Sequence, residues 1–211
     1  MRYQISLLIV ILVMSACKEA IEVVEIHNEN GQITEKFEMR KHDNIRHGFH
    51  ETYDTLGNLI GKKSYQNGKI QGKAYFYYDN GQVYEEENYE NGLIVGEVRS
   101  YYKTGEIQVK KPYIIRDSSS VLEGTFYSYY KNGNVKVEAT MVDSEENGPF
   151  IEYYENGKIQ AKGSRKEDPK FGPRDHGLLE LYDKEGKLIK KMDCEMGRCS
   201  TIFQVDTTAN Q

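Results

Sequence analysis

The sequence predicts an all-β protein, an elongated single-layer antiparallel β-meander built of repeated β-hairpins of about 24 residues. Three observations predict it: a repeated turn motif, many Asn-Gly dipeptides, and apolar residues that occur singly between polar ones. Only 38% of the 211 residues are hydrophobic, whereas 17 are tyrosine and 29% are charged. A single-layer repeat sheet suits this composition, because each repeat needs only its neighbours for burial.

A turn glycine recurs six times at an almost constant spacing. The intervals between successive glycines are 24, 24, 28, 24 and 29 residues, and Gly31 is a degenerate forerunner. A tyrosine stands four residues before each of the six glycines, and an aliphatic residue stands two residues after it. The tyrosines are Tyr53, Tyr77, Tyr101, Tyr129, Tyr153 and Tyr182, and the glycines are Gly57, Gly81, Gly105, Gly133, Gly157 and Gly186. A period of this size is typical of a repeat architecture.

Asn-Gly dipeptides make hairpins the expected unit of the fold. The chain contains seven of them, and Asn-Gly tolerates the positive φ that tight hairpin turns require. Two turns per repeat leave two strands of roughly six to eight residues, which is an ordinary strand length. Roughly twelve to fourteen such strands, stacked at ~4.8 Å, give a sheet about 60 Å long.

A second tyrosine directly follows the first in four of the repeats. These residues are Tyr78, Tyr102, Tyr130 and Tyr154, and Asp54 and Asp183 replace them in the first and last full repeats. Because side chains alternate along a strand, the two tyrosine columns lie on opposite faces. The complete column is interpreted as a stabilising ladder between strands. The incomplete column is the candidate recognition face, since tyrosine is enriched at interfaces, although a structural role also accounts for it.

The first residues are predicted to be an export signal. Arg2 precedes the apolar run Ile5–Val13, which is too short to span a bilayer and suits a secretory signal. Met14-Ser15-Ala16-Cys17 resembles a bacterial lipobox, which implies lipid attachment at Cys17 and, with Lys18 after it, favours the outer over the inner membrane. An exported protein with a fortuitous cysteine, or an N-terminal anchor, is the alternative.

The predicted organisation has four parts. Residues 1–16 are the signal peptide, 17–26 a tether, 27–191 an array of about seven repeats, and 192–211 a C-terminal cap. Two stretches, Asp117–Ser120 and Lys166–Lys170, lengthen their repeats and are expected to form loops.

Cys194 and Cys199 follow the last repeat. In an exported protein they are expected to form a local disulfide that closes the end of the sheet. Metal binding is the alternative, but two further ligands for this Cys-x4-Cys pair are not evident nearby.

Features of an enzyme, a cofactor site or a metal site do not stand out. The histidines His42, His47 and His50 are close in sequence, but His47 and His50 point to opposite faces of a strand and are expected to be exposed. The mild net charge of −5 and the interleaved basic residues disfavour nucleic acid as a partner. The sequence therefore predicts a non-enzymatic protein without a cofactor or a metal.

The repeat itself resembles a known family. The runs Tyr77–Val83, Tyr129–Val135 and Tyr153–Ile159 are similar to the MORN-repeat variant, often labelled the YwqK-type antitoxin family, over about residues 27–191. The resemblance implies hairpin arrays that contact proteins or lipids, with no catalytic residues. The expected function is a lipid-anchored envelope scaffold that binds another protein or an envelope component. A YwqK-type antitoxin or immunity protein that neutralises a toxin, or an envelope hydrolase using the acidic face, are the alternatives.

Overall fold

A computed structural model describes residues 20–205, and all their regular structure is β. Nineteen antiparallel strands form one sheet. They are β1 (Ile21–His27), β2 (Ile33–Arg40), β3 (Arg46–Tyr53), β4 (Leu59–Gln66), β5 (Lys69–Ile70), β6 (Gly72–Tyr77), β7 (Val83–Glu90), β8 (Leu93–Ile94), β9 (Gly96–Tyr101), β10 (Ile107–Arg116), β11 (Ser119–Leu122), β12 (Gly124–Tyr129), β13 (Val135–Val142), β14 (Glu145–Tyr153), β15 (Ile159–Asp168), β16 (Gly172–Asp175), β17 (Gly177–Tyr182), β18 (Leu188–Glu195) and β19 (Arg198–Gln204). This confirms the predicted all-β meander. Within residues 20–205 we find no helix with the length and hydrophobicity to cross a membrane.

The strands follow one another across the sheet in chain order. Four short strands, β5, β8, β11 and β16, each continue after one residue into the next strand and pair with the same neighbour. Counting each such pair once leaves fifteen strand positions among the nineteen strands. At ~4.8 Å per strand the described sheet is roughly 65–70 Å long.

A glycine with positive φ lies at each of these one-residue breaks. Gly72, Gly96, Gly124 and Gly177 have φ values of 77°, 77°, 115° and 74°, and each stands five residues before a tyrosine of the complete column. Gly48 and Gly148 occupy the same repeat position with φ of 109° and 132°. The strand register shifts by two residues at these breaks, for example from Tyr65↔Ile70 to Lys62↔Tyr75 around Gly72. Such an irregularity bends the strand and increases its twist. This glycine column is not among the features predicted from the sequence, and Asn147-Gly148, one of the seven Asn-Gly dipeptides, is not a turn, since both residues lie inside β14.

The turns at the tyrosine ends of the hairpins share one geometry. In the turn around Gly81, the Gly81 amide donates to the Tyr78 carbonyl and the Tyr78 amide donates to the Gln82 carbonyl. Gly81 has positive φ, at 80°, whereas Asn80 does not. The turn is therefore a three-residue loop closed by a glycine bulge. The same pair of backbone bonds recurs around the other five turn glycines and around Gly31.

Two-residue turns join the strands at the ends opposite the tyrosine-containing turns. Asn67 and Asn91 both have positive φ, as do the glycines that follow them, which is the geometry of a type I′ turn. Asp117-Ser118 also has positive φ at both residues, without a glycine.

The prediction that two insertions form loops was therefore wrong. Asp117 and Ser118 form a tight turn, and Ser119 and Ser120 already belong to β11. Lys166–Asp168 are the last three residues of β15 and do not form a loop. The additional residues lengthen two hairpins, because they pair with each other across the turn.

The N-terminal boundary also differs from the expected one. Ile21–His27 form β1 and pair with β2, so the sheet begins within the stretch 17–26 that was expected to be a tether. Cys17 lies outside the described residues.

Candidate interaction surfaces

The two faces of the sheet differ in burial. We call one of them the packed face, since it carries all the buried hydrophobic residues. These are Phe37, Ala74, Val98, Ala139, Phe150, Ala161, Leu179 and Cys194. Strand registers place them side by side, with Ala139 opposite Phe150, for example. Five of them form one cluster at the C-terminal end of the sheet.

In the four repeats that have it, the second tyrosine joins its repeat to the next one. The hydroxyl of Tyr102 donates to the backbone carbonyl of Tyr129 at 2.7 Å. Tyr78, Tyr130 and Tyr154 make the same bond to Tyr101, Tyr153 and Tyr182, at 2.7, 2.7 and 2.8 Å. These side chains are half-buried, and their hydroxyls donate to backbone carbonyls of the sheet itself. Recognition by this column stays a prediction that would depend on the rings alone.

The turn asparagine makes a parallel link. The Nδ2 group of Asn132 donates to the carbonyl of Glu155 in the next turn at 3.0 Å, while its Oδ1 accepts from the amide of Asn134. Asn80 and Asn156 link their turns in the same way. The turns around Gly81, Gly133 and Gly157 are thus each joined to the next turn by both a tyrosine and an asparagine side chain.

Aspartate replaces the second tyrosine where the turn caps itself. The Oδ1 atom of Asp183 accepts from the amides of Glu185 and Lys187 at 3.1 and 2.8 Å. Asp54 accepts from Leu56 and Asn58 in the same manner. Such bonds close the turn from within, both in the last full repeat and at Asp54, which a further repeat follows.

The opposite face, which we call the tyrosine face, carries the complete tyrosine column. Each of these tyrosines is paired across the hairpin with the aliphatic residue of its own repeat. The pairs are Tyr53–Leu59, Tyr77–Val83, Tyr101–Ile107, Tyr129–Val135, Tyr153–Ile159 and Tyr182–Leu188. All twelve side chains are half-buried, so a stripe of alternating rings and aliphatic groups stays accessible along the sheet. We call it the tyrosine stripe.

An open groove of about 330 Å³ lies beside the stripe. Its lining includes Tyr75, Val83 and Tyr101, together with the carboxylate of Glu86. The Tyr101 hydroxyl donates to Glu86 at 3.2 Å. The groove therefore offers ring surface with a charged group held at its side.

A row of charged side chains of both signs runs beside the stripe on the same face. It includes the ion pairs Lys36–Glu25 at 3.0 Å and Lys62–Glu51 at 3.2 Å. Near the C-terminal end, Glu180 contacts Lys162 at 2.8 Å and Lys191 at 2.7 Å. We call these residues the charge row; it begins with Glu25 on β1, and its last charged member is Lys191 on β18.

Glu180 is buried and yet ionised. The two lysines and the Tyr182 hydroxyl, which donates at 2.7 Å, hold the pKa of Glu180 down to about 2. A buried carboxylate is tolerated only with such partners. The charge of this part of the face is therefore fixed at physiological pH.

His50 departs from the repeat on the packed face. It was expected to be exposed, but only 3% of it is accessible, and its Nε2 lies 3.0 Å from the Glu35 carboxylate. Its ring packs against Phe37 and Tyr65. A group of three or more residues suited to hold a metal is absent from residues 20–205.

A disulfide between Cys194 and Cys199 links β18 to β19 at the C-terminal end of the sheet. Beside it lies an open cavity of about 660 Å³ lined by Phe171, Arg174 and Arg198, among others. Arg174 lies over the exposed Phe171 ring, 5.1 Å from its centroid. Acidic groups line the same cavity, so it has no single charge preference.

The fold and the repeated turn chemistry define a β-hairpin repeat protein. Four segments match the model of the MORN repeat variant: residues 70–91, 94–114, 122–143 and 146–167. Each matched segment contains one hairpin whose tip is a tyrosine-containing turn. Among curated proteins none matches the chain significantly.

Two solved structures are similar over most of this chain. A porin-like protein from Bacteroides uniformis shares 10% identity, over 86% of this chain and 92% of that one, with a TM-score of 0.25. A structure described as TcdB2-TccC3-Cdc42 shares 12% identity, over 87% of this chain and 14% of that one, with a TM-score of 0.23. Similarity at this level carries no functional argument.

Proposed function

We propose that this protein is a non-enzymatic, lipid-anchored scaffold of the cell envelope that binds another protein along its tyrosine face. The observation that carries the proposal is the tyrosine stripe, which is half-buried and continuous across six repeats. The MORN-type repeats support a scaffold role, since arrays of small repeats commonly present extended binding surfaces.

The chemistry of the tyrosine face favours a protein as the partner. Tyrosine rings provide large contact area at low entropic cost and are enriched at protein interfaces. The charge row beside the stripe adds fixed charges of both signs, and such charges set register and exclude wrong partners. An immunity protein is the special case of this proposal in which the bound partner is a toxin.

The anchor is proposed from Cys17 and the lipobox-like residues before it. Only three residues separate Cys17 from β1, so the first strand would lie within about 14 Å of the lipidated residue, the reach of four extended residues. The N-terminal repeats would then be close to the membrane, and the partner would contact the tyrosine face of the sheet.

Site-specific photo-crosslinking in intact host cells tests the binding face. The full chain would carry p-benzoylphenylalanine in place of Tyr129 on the tyrosine face. Tyr113, a half-buried tyrosine on the packed face, is the matched control position. We expect a discrete crosslinked partner from position 129 and none from position 113.

The same experiment separates the two tyrosine columns. A probe at Tyr130, in the second column, would capture the partner instead if recognition used that column. Equal crosslinking from positions 129 and 113, or none from any position, would refute binding along the tyrosine face.

A further inference from the structure

The two ends of the sheet are open edges. Among the described residues β1 pairs only with β2, and β19 pairs only with β18. Each of these edge strands is seven residues long and contains neither proline nor lysine. Natural edge strands usually carry such residues, because an unprotected edge is a template for another strand.

Both edges also expose large apolar side chains. Val23 on β1 is 52% accessible, and Ile202 and Phe203 on β19 are 63% and 44% accessible. The strand registers place Val23 and Phe203 on the tyrosine face, as neighbours of Glu25 and Lys191 in the charge row. A second sheet joined edge to edge would therefore bring apolar groups of both chains together on one face.

The charges of the two edges are complementary. β1 carries Glu22 and Glu25 and no arginine or lysine, whereas β19 carries Arg198 and no acidic residue. The charge row has the same polarity, since it begins with Glu25 at one end and its last charged residue at the other end is Lys191. Pairing β1 with a second β1 would oppose acidic side chains, which is unfavourable.

From these observations we infer that the chain associates with a second copy of itself, head to tail, with β1 of one copy added to β19 of the other. The meander continues across the junction, and its alternation of faces continues with it. Because the two surfaces in such a contact differ, the contact does not close on itself, and each added copy leaves a new open β19 or β1. The inference is independent of the partner that the tyrosine face binds.

Crosslinking of the full chain in its membrane tests this. With p-benzoylphenylalanine in place of Phe203, irradiation should give a ladder of dimers, trimers and larger species. The crosslinks should map to residues 21–27 of the neighbouring copy. The same probe in place of Tyr113, away from both edges, should give no ladder.

Edge-blocking variants distinguish the possible pairings. Val23→Lys on β1 or Ile202→Lys on β19, each present in all copies, should remove the bands above the monomer, because an edge lysine opposes strand addition. Both positions are exposed, so thermal unfolding of each variant should match that of the unmodified chain.

Mixing the blocked copies gives the decisive result. A copy with Val23→Lys and the Phe203 probe, co-expressed with a copy carrying Ile202→Lys, keeps one free β19 and one free β1. We expect a single dimer band containing one of each. A dimer that persists when every copy carries Val23→Lys would instead show β19 pairing with β19, and a monomer under all conditions would show no self-association; either result overturns the inference.

Discussion

The residue directly after the complete tyrosine column has one of two roles, depending on whether it is tyrosine or aspartate. Tyr78, Tyr102, Tyr130 and Tyr154 each have a following hairpin whose carbonyl accepts their hydroxyl. Asp183, in the turn of the last full repeat, instead accepts hydrogen bonds from backbone amides of its own turn. The sequence showed that this column differs from the complete one. It could not show the hydroxyl bonds, because these depend on how the sheet brings neighbouring hairpins together.

His50 is a second residue whose environment the sequence misjudged. The cognate positions in other repeats hold Ala74, Val98 and Phe150, which are buried. His50 stands two residues after Gly48, as Ala74 stands two residues after Gly72, and this spacing would have identified His50 as a core position. Burial lowers the pKa of His50, and Arg46 and Lys63 lower it further, against the opposing effect of Glu35.

A lowered histidine pKa makes stability depend on pH. Below the ordinary pKa of 6.5 the unfolded chain binds a proton at His50 more readily than the folded chain does. The contribution of His50 to stability is therefore complete above pH 6.5 and is lost as the pH falls through the folded-state pKa. We expect the free energy of unfolding of the variant His50→Phe to fall less between pH 7.5 and 5.5 than that of the unmodified chain, as measured by urea denaturation.

His27, an exposed histidine on β1, provides the control for this measurement. The loss of stability between the two pH values should be the same in His27→Phe as in the unmodified chain. An unchanged pH dependence in His50→Phe would show that the burial of His50 has no energetic consequence.

At the scale of the hairpin, turn chemistry decides which residues a turn requires. The glycine of the tyrosine-end turn has positive φ in every copy, and the sequence predicted these turns from that glycine. The two-residue turn at the other ends of the strands needs positive φ at both positions. Asp117-Ser118 and Asp143-Ser144 form this turn without glycine. The stretch Asp117–Ser120 was expected to be a loop because it lengthens its repeat, but it forms one of these turns and the start of β11.

Ser118 is strained by its position in this turn. Its φ is 62°, which costs a residue with a Cβ atom about 1–2 kcal/mol. We expect Ser118→Gly to raise the free energy of unfolding by about 0.5–1 kcal/mol, after allowing for the flexibility of glycine in the unfolded chain. Urea denaturation measures the change.

The neighbouring serine is the matched control. Ser119 is exposed and lies in β11, where its φ is not positive. Ser119→Gly should lower the free energy of unfolding by about 0.5–1 kcal/mol. A loss of stability in both variants would contradict the assignment of strain to Ser118.

At the scale of the whole molecule, the sheet has two unlike ends. The first strand begins four residues after Cys17, and the last hairpin carries the disulfide between Cys194 and Cys199. If Cys17 is lipidated, the disulfide-bearing end is separated from the anchored end by the length of the sheet.

Metabolic labelling with a palmitate analogue tests the anchor. We expect label on the full chain, its loss in Cys17→Ala, and its retention in Cys194→Ser, since that cysteine is held in the disulfide. Label that persists in Cys17→Ala would refute lipid attachment at this residue.

The sequence by itself determined the hairpin repeat, its period and the single antiparallel sheet. These follow from local chemistry, because turn glycines and strict alternation specify hairpins without reference to distant residues. It also indicated that the two tyrosine columns lie on opposite faces.

Only the tertiary structure decided which face packs, where the tyrosine hydroxyls donate and that His50 is buried. It also showed that the expected insertion loops are largely strands, and that β1 and β19 each have one strand partner within residues 20–205. These features depend on strand register and on how successive hairpins stack. Register is set by pairing between strands, and the bulge glycines change the local twist, so neither is contained in one repeat.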